Sequence, residues 1–281
     1  MNSSDEEPFA NDSALLFGHH GPPPKISLRH KIRRKFPRIE DFLLDEAMRI
    51  RTAAILRHPA FTALPRRRIL AVGLESSRRP GALSGIFARM QSERHDMVFD
   101  QKGVEDKGKL ENTNILLARH DLSTFDWVWT VDDDVALPDH YTDIFTFLAE
   151  FAELKIARPA HRAKSHTSYG VTRRHYKALM RETSFVEVGP ITAFHKDSFA
   201  DVFPLPNLRY GWGLDLSWPM LARKRGWRIG IVDAVPMEHL NPVATTYDIE
   251  AAVTEAKAYM GEHGFIPREE CWQTLRRWDR L

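Results

Sequence analysis

The chain has 281 residues, 43% of them hydrophobic and 28% charged, the composition of an ordinary soluble globular protein with room for one large domain or two small ones. No apolar run approaches the roughly 20 residues that a bilayer span requires, and a single cysteine, Cys271, excludes an intramolecular disulfide framework and any multi-cysteine zinc or iron–sulfur centre. The net charge of +2 conceals a segregation: residues 1–24 carry 4 acids and no Lys or Arg, residues 25–79 carry 15 Lys and Arg against 5 Asp and Glu, and the remainder is acidic.

Residues 1–24 are polar, Pro-rich and without periodicity, which predicts a disordered tail. They lack the basic and apolar regions of a secretory signal, so the expected location is cytoplasmic. The basic run KISLRHKIRRKFPR follows. Residues 25–38 could contact RNA or the inner face of an anionic membrane; the plainer reading is a solvated basic arm or a brace on an acidic face of the same chain. Apolar residues from Ile39 to Leu56 recur at helical spacing up to Pro59, so residues 25–65 read as a basic arm and helix preceding a catalytic domain over 66–281.

Past residue 66 the pattern changes to short apolar runs separated by helical stretches. Strands are expected at 69–74, 96–100, 126–131, 155–160, 185–194 and 227–235, with helices at 80–93, 138–153, 172–182, 214–225 and 247–263. Pro138 is placed in the first turn of the second of these helices. This alternation predicts a three-layer α/β/α fold with a mostly parallel, mixed central sheet and an N-terminal helical extension. Ligands would then bind at the carboxyl ends of the strands.

The sharpest feature is DWVWTVDDDVALPDHY, in which Asp132, Asp133 and Asp134 arrive together at the end of a strand apolar enough to be buried on both faces. Adjacent carboxylates at the edge of a core repel one another and call for a cation. In extended backbone Asp132 and Asp134 point to one side, which suits Mg²⁺ or Mn²⁺ completing its shell with phosphate oxygens and water. Helix capping by an acidic loop is the plainer alternative.

This strand and its Asp-x-Asp resemble the metal and nucleotide-sugar site of GT-A fold glycosyltransferases. IARPAH, FVEVGPITAFHKDSF, YGWGLDLSW and GWRIGIVDAVPMEHLNPV resemble, in order, the uncharacterised DUF707 family across about residues 68–245. The resemblance implies a GT-A-like domain acting as a glycosyltransferase on a nucleoside diphosphate sugar, a UDP-sugar foremost, and a hydroxyl acceptor such as a glycan, glycolipid or small molecule. The metal ligands it implies are Asp134, Asp132 and His239, the donor contacts Arg78, Arg79, Asp132 and Asp133, and the acceptor contacts Gly211, Trp212 and Gly213. Asp215 would be the catalytic base of an inverting transfer. A nucleotide-sugar binding protein without turnover, and a metal-dependent phosphohydrolase of nucleoside diphosphate sugars, are the alternatives.

The remaining residues refine this reading. Ser76 to Arg79 lie between a strand and a helix, where backbone N–H groups and guanidinium donors can receive an anion. No G-x-G-x-x-G, Walker lysine, Gly-x-Ser-x-Gly or His-Glu-x-x-His is present, which removes the grounds for dehydrogenase, P-loop, hydrolase and zinc-protease readings. Nucleic acid is not an expected partner, since no RRM, KH or zinc-finger signature accompanies the basic arm. Asn112, Asn114 and Arg119 are weak candidates to face the donor, 161–170 reads as a mobile polar loop, Asp233 as structural, and His195 and Lys196 receive no role.

Overall fold

A computed structural model describes residues 36–104, 107–241 and 248–281; the tail at 1–24 and the arm at 25–35 lie outside them. The chain opens with helices α1 (Pro37–Leu56) and α2 (Pro59–Thr62) and continues through β1 (Arg68–Glu75), α3 (Ala82–Met90), β2 (Asp96–Gly103) and α4 (Lys109–Leu117). The central part holds β3 (Trp127–Asp132), β4 (Val135–Ala136), α5 (Tyr141–Phe151), β5 (Leu154–His161), β6 (Met180–Thr183) and β7 (Ile191–His195). It closes with α6 (Phe199–Val202), α7 (Leu214–Arg225), β8 (Arg228–His239), α8 (Ile249–His263) and β9 (Thr274–Trp278).

The main sheet runs β2-β1-β3-β7-β5-β8-β6-β9, and β4 pairs with β8 off this path. Strands β7 and β6 run against the others, so the sheet is mixed with most strands sharing one direction. The pleat divides each central strand between two layers. Trp127, Trp129 and Val131 join Ile69 and Ala71 in a core with Met48, Ile55 and Phe61 of α1 and α2, Leu83 and Phe87 of α3, and Tyr141 and Phe145 of α5. On the other face Leu70, Val72 and Val128 meet Leu116 and Leu117 of α4, while Ile156, Phe194 and Ile229 meet Leu214 and Trp218 of α7. This is the three-layer α/β arrangement expected, with its N-terminal helical extension packed onto one face. Among the described residues no helix is long and apolar enough to cross a membrane.

Several local expectations fail for identifiable reasons. The first helix ends at Leu56, ahead of Pro59 as expected, but Pro59 also opens α2, where the His58 imidazole accepts from the Ala60 N–H at 3.2 Å. Pro138 lies outside α5, because His140 takes a left-handed conformation (φ 57°) and the helix starts at Tyr141. The stretch 172–182 forms no α-helix; its end is β6, paired antiparallel with β8, which aims Arg181 at the buried Asp233. Arg181 grips that carboxylate through Nε at 2.8 Å and Nη2 at 2.9 Å, giving Asp233 the structural role expected of it. The run 185–194 is strand only from Ile191, because Gly189 turns the chain at φ +77° ahead of Pro190.

The polar stretch 161–170 is not a free loop, since His161, Ser165 and Tyr169 within it are buried. Asp41 of α1 holds its far side, accepting the N–H groups of Ala163 at 2.8 Å and Lys164 at 3.0 Å and the Arg174 guanidinium at 3.1 Å. Asp41→Ala would leave these donors short of a partner. It should lower unfolding free energy by about 1–3 kcal/mol, read as a shifted denaturant midpoint at unchanged slope.

Candidate active site

The carboxyl ends of β1, β3 and β8 meet at one edge of the sheet. Strand β3 delivers Asp132, the chain turns through Asp133 and Asp134, and β4 pairs at once with the tail of β8, setting Val135 opposite His239. β8 is 12 residues long because its first part serves the main sheet and its last part serves β4. That extension brings His239 Nε2 to 3.1 Å from Asp134 Oδ2. The other ring nitrogen, Nδ1, faces the His166 carbonyl at 3.2 Å, which orients the ring and turns Nε2 toward the carboxylate.

The three aspartates have three different environments. Burial works to raise the pKa of Asp134, but the His239 hydrogen bond and charge, Lys109 and an Asn241 hydrogen bond outweigh it and leave it lowered. For His239 burial pulls downward, and the Asp134 partner more than compensates, leaving it raised. Asp133 turns away, accepting the Ser76 N–H at 2.6 Å, and its pKa is raised by burial with help from the neighbouring carboxylates. Asp132 is engaged at both oxygens by Lys109 Nζ, at 2.6 and 2.8 Å.

Of the residues expected at a metal, then, the structure joins Asp134 and His239 and gives Asp132 a different partner. Among the described residues no three His, Cys, Asp or Glu side chains converge closely enough to hold a metal by themselves. One carboxylate and one oriented imidazole still fit an Mn²⁺ or Mg²⁺ that takes its other ligands from water and phosphate.

Arg79 reaches this edge, donating to Asn241 Oδ1 at 2.7 Å, whereas the Arg78 side chain is exposed. Glu75 accepts the N–H groups of Gly81 at 3.0 Å and Leu83 at 3.1 Å, so the loop after β1 is tied to the start of α3. Asn112, Asn114 and Arg119 are committed elsewhere: Asn112 and Asn114 brace the Lys107 and Leu205 backbones, and Arg119 pairs with Asp100. His195 and Lys196 sit at the opposite edge of the sheet, because β7 runs antiparallel to β3.

Asp215 lies in the first turn of α7, after Gly211 (φ +76°) and Gly213 (φ +85°). A Cβ would also be tight at both, 3.0 Å from Met260 at 213 and 3.3 Å from Leu110 at 211. Glu255 of α8 organises this loop by accepting the N–H groups of Arg209 at 2.6 Å and Tyr210 at 2.9 Å. Trp212 is partly buried against the cluster that contains Leu216, Ala256 and Met260. Asp215 is only 6% exposed, and its Oδ1 has no hydrogen-bond partner among the described residues. Burial, and next the charge of Glu187, push its carboxyl up to about 7 even though the Val188 N–H bonds it.

Sequence reasoning missed the network behind Asp215. Arg158, fully buried on β5, pairs with Glu187, and its Nη2 lies 2.6 Å from His161 Nε2. Burial and the adjacent Arg158 charge depress His161 to about 4, so the ring is neutral near pH 7. Its Nε2 then accepts from Arg158 while its Nδ1–H donates to Ser165 Oγ at 2.8 Å, and the same hydroxyl accepts the His239 N–H at 2.7 Å. Burial opposes ionisation of Glu187, but the Arg158 charge holds it at about 2. The segment 187–190 thereby connects both halves of the site. Val188 bonds the Asp215 carboxylate, and the Pro190 carbonyl accepts the Asp132 N–H at 2.8 Å. An Arg in a strand reads as a surface residue in sequence; only the connection from β6 to β7, which carries Glu187, buries it.

No family model matches the chain, and no curated protein matches it either, so the DUF707 resemblance gains no support from these comparisons. Solved structures do match. The mannosyltransferase PcManGT from Pyrobaculum calidifontis, in complex with GDP-Man and Mn²⁺, is 14% identical over 84% of this chain and 77% of its own, at a TM-score of 0.49. GalNAc-T7 with UDP, GalNAc and Mn²⁺ is 5% identical over 71% of this chain and 48% of its own, at 0.48. The catalytic domain of Drosophila β1,4-galactosyltransferase 7 with xylobiose is 13% identical over 68% and 80%, at 0.42.

Proposed function

We propose that the chain is a GT-A-like, divalent-metal-dependent glycosyltransferase that moves a sugar from a nucleoside diphosphate sugar, a UDP-sugar foremost, to a hydroxyl acceptor with inversion. The observation that carries this reading is the convergence of Asp134 and His239 to 3.1 Å at the carboxyl ends of β3 and β8, joined through residues 187–190 to a buried Asp215 carboxylate oxygen that has no partner among the described residues.

Asp134 and His239 would hold the Mn²⁺ or Mg²⁺. When bound, such an ion supplies a positive centre for the charge that develops on a departing diphosphate. Arg79, fixed through Asn241, would lie beside the same phosphates. Gly211 and Gly213 would set the course of the loop that meets the acceptor, with the Trp212 ring as the wall against it. Asp215 would take the proton of the acceptor hydroxyl as its oxygen attacks the anomeric carbon and the bond to the diphosphate breaks. A base with a pKa of about 7 is matched to that step near neutral pH.

A nucleotide-sugar panel read by thermal shift with Mn²⁺ tests the donor class, because a ligand binding only the native state raises stability as its concentration exceeds Kd. One UDP- or GDP-sugar should raise the midpoint in Mn²⁺ and not in EDTA, and that donor should release nucleoside diphosphate only when a hydroxyl acceptor is added. Release at full rate with water alone would favour a phosphohydrolase, and a shift with no release on any acceptor a binding protein. A panel without any Mn²⁺-dependent shift would overturn the donor class.

A further inference from the structure

Lys109 was not singled out by any motif, yet it holds the first of the three aspartates. It is the first residue of α4, and its Nζ lies 2.6 Å from Oδ1 and 2.8 Å from Oδ2 of Asp132. The position is built by its surroundings. A Cβ on Gly189 would stand 2.6 Å from Lys109 Nζ and 3.2 Å from Asp132 Oδ2, so the pair lies directly against the backbone at 189 and a side chain there would push the lysine end aside. A Cβ on Gly108, the residue before it, would fall 2.4 Å from Arg209 Cα, so the start of α4 is pressed against the 209–213 loop that leads to Asp215.

Two features separate this pair from a buried structural bridge. Its side chains remain 31% and 27% exposed, so Lys109 keeps hydrogens free to face solvent at the site edge. It also occupies the carboxylate that a metal held by both outer aspartates would need, leaving Asp134 and His239 as the converging ligands. An ammonium of three donors held beside an open edge is a phosphate-binding point charge.

We propose that Lys109 is a diphosphate-binding residue: anchored on Asp132, it contacts the donor's phosphates directly, and the diphosphate is held between Lys109 on one side and the Asp134–His239 position on the other. The proposal rests on the glycosyltransferase reading above and sharpens its donor site, with Asp132 serving as the anchor of a lysine rather than as a metal ligand.

The test uses inorganic pyrophosphate and UDP as probes on the full chain, by calorimetry, in EDTA and in Mn²⁺. Wild type should retain weak binding of both probes in EDTA, and Lys109→Met should weaken it roughly tenfold or more, the loss of one charge-assisted contact, with Lys109→Arg restoring most of it. With no phosphate present, Lys109→Met should bind Mn²⁺ at least as tightly as wild type, since Asp132 is released. Unchanged probe binding in Lys109→Met, or loss of Mn²⁺ binding there, would make the pair structural and overturn the proposal while leaving the glycosyltransferase reading intact. If wild type binds neither probe with or without Mn²⁺, both fail together. Should Lys109→Met not fold, lysine acetylation of wild type mapped by mass spectrometry decides: pyrophosphate in EDTA must protect Lys109, and absence of protection refutes the contact.

Discussion

Asp215→Asn should abolish sugar transfer and stabilise the fold in the same experiment. Loss of a general base costs roughly 10²- to 10⁴-fold in rate. Donor binding should persist, because Asp215 touches the Val188 backbone rather than the Asp134–His239 edge. Wild-type transfer should rise with pH through about 7 and then level, since only the ionised carboxylate accepts a proton. Transfer by Asp215→Asn at the wild-type rate would assign the base elsewhere.

The stability effect has the opposite sign. The folded carboxyl titrates near 7, against an ordinary value of 3.8, so between those values the folded state binds the proton more tightly than the unfolded state. The contribution of Asp215 to stability is thus fully present below about pH 4 and falls as pH rises toward 7. At pH 8 the ionised form carries the whole penalty of burial beside Glu187, of order 4 kcal/mol at most. Asparagine removes it, so the variant should melt several degrees higher than wild type at pH 8 and at about the same temperature at pH 4. A variant more stable and inactive marks a group retained for chemistry at the expense of the fold.

How much was legible in the sequence follows from where each signal is encoded. The strand before Asp132 is apolar but for Thr130 and so reads as buried on both faces, and Leu214–Arg225 begins after two glycines and ends at Gly226, so both elements were readable. The Asp134–His239 meeting was suggested by motif order, but what creates it is the two-residue β4 laid on the overlong β8, an element too short for periodicity to reveal. Pairings made by tertiary burial left no local trace. Lys109 opens an undistinguished helix, Arg158 sits in a strand beside a proline, and Glu187 lies in a stretch whose β-branched residues read as strand although the chain turns at Gly189. The β6 segment read as helix for the same reason, since what extends it is its pairing with β8 and β9, distant in sequence.

Metal-dependent diphosphate binding is the central claim, and Asp134 is where it is most exposed to test. Asn at this position keeps the shape and the contact with His239 but removes the charge that the cation would meet, so the loss should fall on metal affinity rather than on folding. The direct measurement is a calorimetric titration of UDP into wild type and Asp134→Asn, each with Mn²⁺ and with EDTA. Mn²⁺ should tighten UDP binding by wild type more than about tenfold and leave Asp134→Asn unchanged. Equal affinity in all four titrations, or the same Mn²⁺ enhancement in both proteins, would contradict it.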